Sequence, residues 1–383
     1  TPNPKPQTPN PKPQTPNRSL LMAEESSKAI VIDTGSGYVK AGLASDECPT
    51  CCMPNVIAWE EGNSKPLVGQ DALAKVGQLR TCFPVQRGLC KDWDALEHVW
   101  QHTFLNQLRL DSTEHPLLSS YYPDENKIDR ETTAMIFFET FQVPGYYSLQ
   151  SALLSLYGSG RSTGLILDSG EGQTSAVPIL DGYVIPHAHI MQNFGGQDLD
   201  KLMASLMSRY DISKETANRI RERRGYLALD YQKEMERYNQ SITKSTSFDL
   251  PDGRTIEVGS EAMTASEAVF DPSLASSKEI GVVQMIYESL FKVGAEVRKE
   301  FAANIILSGG NTLIKNYSAR FTKGLNESLP PHLKPKVFAT NDRQYLSWIG
   351  GGIITTVNTF QSVWITQPEY QENGPTVIYR KCL

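Results

Sequence analysis

The stretch LILDSGEGQTSAVPIL, residues 165–180, is the most informative part of this sequence. It begins as an apolar strand, turns through closely spaced glycines and acidic side chains, and leaves as a second strand. A turn of this kind presents backbone N–H groups to an anion, and Asp168 at the end of the strand can hold a divalent cation. The sequence therefore predicts a hairpin that binds phosphate. Whether a nucleotide bound there is hydrolysed or only held depends on the rest of the turn.

The same pattern occurs at two other places, AIVIDTGSGYVKAGL (29–43) and NIILSGGNTLI (304–314). Apolar runs without alternation, such as residues 30–32, indicate central strands that are covered on both faces. The glycines allow the backbone to approach a ligand closely. One such turn is weak evidence, but Asp33 and Asp168 each follow a strand of this buried type. The pair predicts a duplicated domain whose two hairpins face each other across a cleft.

Composition limits the class of protein. The chain has 383 residues, of which 39% are hydrophobic and 21% are charged, and it is long enough for two domains. Its formal net charge of −6 gives no electrostatic sign that nucleic acid or an anionic membrane is a partner. No apolar run approaches the ~18 residues of a membrane span. The six cysteines are unevenly spaced, which fits a reducing compartment better than a disulfide framework.

The N-terminal segment differs from the rest of the chain. The stretch TPNPKPQTPNPKPQTPN repeats proline and polar residues and has no apolar side chain to bury. The sequence predicts that residues 1–22 form a disordered, proline-rich tail outside the fold. Met22, followed by AEESSKAIVID, is interpreted as the native beginning of the chain.

Helical spacing of apolar residues occurs between the glycine turns. The stretch WDALEHVWQHTFLNQL (93–108) predicts a helix with Asp92 as its N-cap, and one of its faces carries Trp93, Leu96, Trp100 and Phe104. The stretch PGYYSLQSALLSLY predicts a second helix that begins near Pro144, with an apolar face of Leu149, Leu153, Leu156 and Tyr157. Both faces are interpreted as core.

From about Lys28 to Leu383 the chain resembles actin and the actin-related proteins. The resemblance rests on DTGSGYVKAGL, KDWDALEHVWQHTF, EHPLL, FFETFQVP, LLSLYGSGRSTGLILDSGEG, GYLALD, LPDGRTIEVG, ILSGGNTL, SWIGGGI and RKCL. It implies an α/β fold of the actin-like type, in the Hsp70 and sugar-kinase superfamily, with two domains that each contain a five-stranded sheet. The implied domain I spans residues 28–158 plus 346–383, and domain II spans 159–345. ATP or ADP, with Mg²⁺ or Ca²⁺, would lie between them.

The resemblance also implies the residues of a nucleotide site. Phosphate contacts from the first hairpin would come from Ser36, Gly37, Tyr38 and Lys40. The second hairpin would contribute Gly170, Glu171 and Gly172. The metal would be held through its water shell by Asp33 and Asp168. The nucleoside would contact Arg221, Glu222, Gly309 and Gly310.

Three positions depart from the family pattern in ways that bear on hydrolysis. Ser151 stands where the family has the Gln that orients the attacking water, and Ser175 stands where it has a His. Glu171 replaces the usual Asp of the second hairpin. Gln150 is one residue away from the Gln position, and we expect it to point away from the γ-phosphate. Because one preorganised polar group typically contributes about 10²–10³ in rate, the sequence predicts weak or absent ATPase activity.

Other departures concern the base and the filament contacts. Ile314 and Gln344 replace an aromatic residue and a lysine of the base pocket, which predicts weaker or less adenine-selective binding. Arg87 stands where actin has a His beside the phosphates. The resemblance implies a long mobile loop for contact with the next filament subunit, but NVIAWEEGNSKPLVGQDAL has only a tight turn within residues 58–66.

These patterns favour a divergent actin-related protein that holds nucleotide. It would act as a structural subunit or cap, with other proteins as partners, in a cytoskeletal or other assembly. It would not polymerise by itself, and it would bind neither nucleic acid nor membrane. The expected location is the cytoplasm and the cytoskeleton, with a nuclear complex left open. The alternatives are a conventional filament-forming actin-like ATPase and an enzyme or chaperone of the same superfamily.

Overall fold

A computed structural model of the chain describes residues 29–60, 62, 65–123, 125–243, 245–250 and 253–382. The tail predicted at residues 1–22 lies outside these described residues. Within them, no helix is both long enough and apolar enough to cross a membrane.

The described chain contains both strands and helices. The strands are β1 Ile30–Thr34, β2 Tyr38–Leu43, β3 Cys51–Pro54, β4 Ile57–Trp59, β5 Leu67–Val68, β6 Arg80–Cys82, β7 Val85–Gln86, β8 Leu89–Cys90, β9 Leu117–Tyr121, β10 Gly145–Gln150, β11 Gly164–Ser169, β12 Thr174–Leu180, β13 Tyr183–Val184, β14 Ile190–Gln192, β15 Thr246–Asp249, β16 Thr255–Val258, β17 Ile305–Ser308, β18 Val337–Phe338 and β19 Ile365–Thr366. The α-helices are α1 Gln70–Leu73, α2 Trp93–His102, α3 Lys127–Met135, α4 Ser151–Gly158, α5 Gly196–Leu206, α6 Lys214–Arg224, α7 Tyr231–Asn239, α8 Ser260–Glu267, α9 Val282–Lys292, α10 Ala295–Ala302, α11 Tyr317–Ser328, α12 Leu346–Thr356, α13 Gln367–Asn373 and α14 Ile378–Lys381.

Two mixed sheets organise the molecule into two lobes. The first lobe is built on the sheet β19-β10-β9-β1-β2-β3, and the second lobe on β13-β12-β11-β17-β18, with β14 also paired to β12. In each sheet a buried strand and its antiparallel partner form a glycine hairpin: β1 with β2, and β11 with β12. The apolar residues 30–32 and 165–167 are fully or almost fully buried, as the absence of alternation predicted.

Each sheet contains six strands, so the implied count of five is wrong. The additional pairings involve short strands at the margins of the sheets. Strand β19 has only two residues, which pair with Gly145 and Tyr146, and β14 joins β12 over residues 174–176. Segments as short as these carry no periodicity that a sequence pattern could reveal.

The helix predicted from Pro144 is also corrected. Residues 145–150 form strand β10, which lies between β9 and β19, and helix α4 begins only at Ser151. Leu149 therefore belongs to the strand, whereas Leu153 and Leu156 are buried on the helix. A short apolar run fits either structure, and here pairing on both edges favours the strand.

The helix predicted at residues 93–108 is confirmed. Asp92 accepts a hydrogen bond from the Ala95 N–H and caps α2. The predicted inward face is buried at Leu96, Trp100 and Phe104, and Trp93 is half-buried. The last turns, Thr103–Leu108, are π-helical, and their buried residues are Thr103 and Phe104.

Helices α4 and α12 pack backbone to backbone where the lobes meet. A Cβ at Gly158 would collide with the Leu346 carbonyl, and one at Gly350 would collide with the Leu154 carbonyl, so only glycine allows this approach. Nearby, the hydroxyls of Ser155 on α4 and Ser308 on β17 lie 3.1 Å apart. This packing places the ends of β1, β11 and β17 around one cleft.

Candidate functional site

The cleft between the lobes contains a cavity of about 780 Å³, within the usual range for small-molecule sites. Both glycine hairpins and the turn after β17 line it. The predicted site residues that line this cavity are Asp33, Ser36, Gly37, Tyr38, Lys40, Ser151, Asp168, Gly170, Glu171, Arg221, Glu222, Gly309 and Gly310. Residues separated by most of the chain thus meet in one space.

The two hairpins approach each other through their glycines. A Cβ added at Gly37 would lie 2.8 Å from the Glu171 Cβ. A Cβ at Gly172 would lie 2.8 Å from Ser36 Oγ and 2.9 Å from Arg87 Cα. Such distances are too short for any side chain. Gly172 is thus a contact between the lobes, and it is not among the residues that line the cavity.

Asp33 is held firmly by its neighbours. Its Oδ2 accepts from the Lys40 ammonium at 3.1 Å, and its Oδ1 accepts from the hydroxyls of Ser120 at 2.5 Å and Ser347 at 3.3 Å. Burial has the largest single effect on Lys40 and lowers its pKa, but Asp33, with further contributions from Asp168 and Cys52, raises the pKa of the ammonium above its ordinary value. Lys40 therefore stays protonated in the cleft, where it can neutralise an anion.

Asp168 carries the second carboxylate at the cavity. Its pKa is raised to about 6: burial raises it most, Lys40 opposes the shift, Asp33 adds to it, and the Ser308 hydroxyl opposes it. In the described part of the chain, no group of three or more His, Cys, Asp or Glu side chains could hold a metal ion. A cation at these two carboxylates would need further oxygens from phosphate and water, and Mg²⁺ is commonly bound in this way. The residues present fit Mg²⁺ together with a nucleotide.

A buried charge cluster lies beside the second hairpin. Arg221 is 6% exposed and donates from Nε to Asp200 Oδ1 at 2.6 Å. Burial, with a further contribution from Asp200, raises the pKa of Glu171 to about 7, although Arg221 opposes this shift. Arg221 lines the cavity as predicted, but its guanidinium already forms an ion pair with the Asp200 carboxylate. Glu171 offers a carboxyl that a ligand hydroxyl or amine could engage.

Ser151 and Ser175, at the two water-orienting positions, differ in whether they line the cavity. Ser151 is the first residue of α4 and lines the cavity. Ser175 lies directly opposite Asp168 in the β11–β12 pair and is buried, but it is not among the lining residues. Gln150 does not line the cavity either. Gln150 is the last residue of strand β10, and the helix begins only at the next residue, Ser151.

Some lining residues were not predicted. Asn311 donates from Nδ2 to the Gly170 carbonyl at 2.7 Å and so supports the second hairpin. Because Asn311 directly follows Gly309 and Gly310, the sequence could have indicated that it lies at this site. Tyr122 and Cys52 also line the cavity, from the ends of β9 and β3, and no local pattern marks them. Ile314 and Gln344, which stand at the two altered base-pocket positions, also line this cavity.

The geometry can be compared with known families. The chain matches the family model described as Actin in two segments, residues 24–224 and 210–383. The segments overlap at residues 210–224 and together include both hairpins, the turn after β17 and every predicted site residue.

Proposed function

This chain belongs to the actin family, and from this premise we propose that it is an actin-related protein that holds nucleotide without consuming it rapidly. ATP or ADP with Mg²⁺, or with Ca²⁺, would occupy the cleft. Hydrolysis would be slow or absent. The protein would serve as a structural subunit or cap beside other proteins of a cytoskeletal assembly in the cytoplasm.

The observation that carries this proposal is the meeting of Asp33, Lys40 and Asp168 in one cavity. They come from the two glycine hairpins, one in each lobe. Two carboxylates and one ammonium, in a cavity also lined by glycines of both hairpin turns, complement a phosphate chain with its divalent cation. When the nucleotide is bound, the metal would neutralise the phosphate charge.

The test is the nucleotide content of the purified protein. After gentle purification in Mg²⁺, denaturation and chromatography should release ATP or ADP in stoichiometric amount. Excess Mg-ATP should also raise the melting temperature, because a ligand that binds only the folded state stabilises it by about 2.7 kcal/mol at a hundredfold excess over Kd. An empty cleft together with an unchanged melting temperature would reject the proposal.

The structural role rests on the small hairpin of the first lobe. Strand β4 pairs with β5 at Ile57–Val68 and Ala58–Leu67, so that residues 60–66 alone connect the two strands. A filament contact made by a long inserted loop would bury apolar surface worth ~25 cal/mol per Å² at every subunit addition. Without that loop the contribution is lost at each addition.

We therefore expect that the protein does not form filaments by itself. Sedimentation and negative-stain microscopy at high protein concentration in Mg-ATP should show monomers, whereas actin in the same buffer should show filaments. Long single-component filaments would favour the alternative, a conventional filament-forming ATPase.

At the end of α12, Ile353 and Val357 are 46% and 41% exposed and remain available to a partner. A subunit that lacks the loop contact at one end, and keeps exposed apolar residues at the other, suits a cap or a fixed hetero-assembly.

A further inference from the structure

Arg87 joins the two lobes beside the phosphate hairpins. It lies in the turn between β7 and β8, in the first lobe. Its Nη1 and Nη2 donate to the two oxygens of Asp198 at 2.6 and 2.7 Å, and Nη1 also donates to the Gly172 carbonyl at 2.7 Å. The Gln197 amide, oriented with its oxygen toward the guanidinium, accepts from Nε at 2.6 Å. All three partners belong to the second lobe.

The turn that carries Arg87 is constrained by the first hairpin. Arg87 has a φ of 50° and Gly88 a φ of 73°, a tight left-handed arrangement. The Gly88 N–H donates to Ser36 Oγ at 2.9 Å. Arg87 is thus tied to one phosphate hairpin through its backbone neighbour and to the other through Gly172. Separation of the hairpins would break the guanidinium contacts.

We propose that Arg87 and Asp198 form a clamp that holds the lobes closed and sets how long the nucleotide stays bound. The proposal rests on the proposed function, since it concerns the same cleft. Release of a nucleotide held by both hairpins requires them to separate. A bidentate guanidinium–carboxylate pair is strong and directional, and both side chains are largely buried, at 26% and 16% exposed. Arg87 is a positioning residue here, because it acts through the hairpins.

The experiment measures release of a fluorescent etheno-ATP from the full chain after a chase with ATP in Mg²⁺. For Arg87→Ala we expect release to be faster by about tenfold or more, which corresponds to about 1.4 kcal/mol. Arg87→Lys keeps the charge but cannot form the bidentate pair, so its rate should be intermediate. The control is Lys201→Ala, because Lys201 lies 3.6 Å from Asp198 but is 62% exposed. Its release rate should equal that of the unmodified protein.

Two further measurements separate the clamp from the nucleotide proposal and from a loss of folding. Hydrogen exchange of nucleotide-free protein should show faster exchange at residues 170–173 and 196–199 in Arg87→Ala than in Lys201→Ala. Added salt should speed release from the unmodified protein more than from Arg87→Ala. Unchanged release and unchanged exchange in a folded Arg87→Ala would overturn the clamp, even if nucleotide binds. Faster exchange in a protein that binds no nucleotide would support lobe closure by Arg87 but overturn its role in nucleotide retention.

Discussion

Asp168→Asn is expected to weaken binding of the Mg²⁺–nucleotide complex by about 10- to 100-fold. This is the usual cost of losing a group that orients metal-bound water. The substitution keeps the shape of the side chain and removes its charge. The buried Asp168 carboxylate already has a pKa raised to about 6 by burial and then by Asp33. A bound cation would favour its charged form, and the amide cannot supply that attraction.

Titration with ATP in Mg²⁺ and in EDTA checks this expectation. In Mg²⁺ the Asn variant should bind more weakly than the unmodified protein, and in EDTA the two should bind alike. Asp94→Asn is the matched control, because Asp94 is exposed in the first turn of α2. Equal affinity of the two proteins in Mg²⁺ would show that Asp168 does not serve the cation.

Combining Ser151→Gln with Ser175→His is expected to raise the single-turnover rate of ATP hydrolysis by about 10²-fold or more, since each restored polar group contributes about 10²–10³ where it is preorganised. Ser151 is the first residue of α4 and lines the cavity, so a longer amide there extends toward the phosphates. Ser175 lies opposite Asp168, so the longer imidazole side chain introduced by Ser175→His can reach the same cavity.

Radiolabelled ATP, bound in stoichiometric amount before Mg²⁺ is added, gives the single-turnover rate. Gln150→Leu is the control, because Gln150 precedes Ser151 directly in the chain but does not line the cavity; its rate should stay that of the unmodified protein. The interpretation that Ser151 and Ser175 make ATP hydrolysis weak is wrong if the unmodified protein already hydrolyses ATP as fast as filamentous actin does. No gain in a double variant that still binds ATP would equally contradict it.

Much of the site could be predicted because its central parts are local. Each hairpin places its strand, its glycines and its aspartate within a few consecutive residues, as at residues 30–43 and 164–180. Most of the implied nucleotide residues line one cavity, and Gly172 instead contacts the other lobe. Ser175 is the second exception. Its place opposite Asp168 follows from the register of the hairpin, but its side chain is buried and does not line the cavity.

Local sequence patterns were enough to predict the two buried strand-to-glycine hairpins, the capped helix after Asp92 and the small number of residues between β4 and β5. Periodicity, capping and turn residues act over a few neighbours, so a linear pattern records them. Only the tertiary structure decided that residues 145–150 form a strand, because neighbours on both sides supply its hydrogen bonds. Only the tertiary structure brought Arg87 to Asp198, 111 residues along the chain. Such a pairing depends on how two lobes pack, and neither residue carries a local sign of the other.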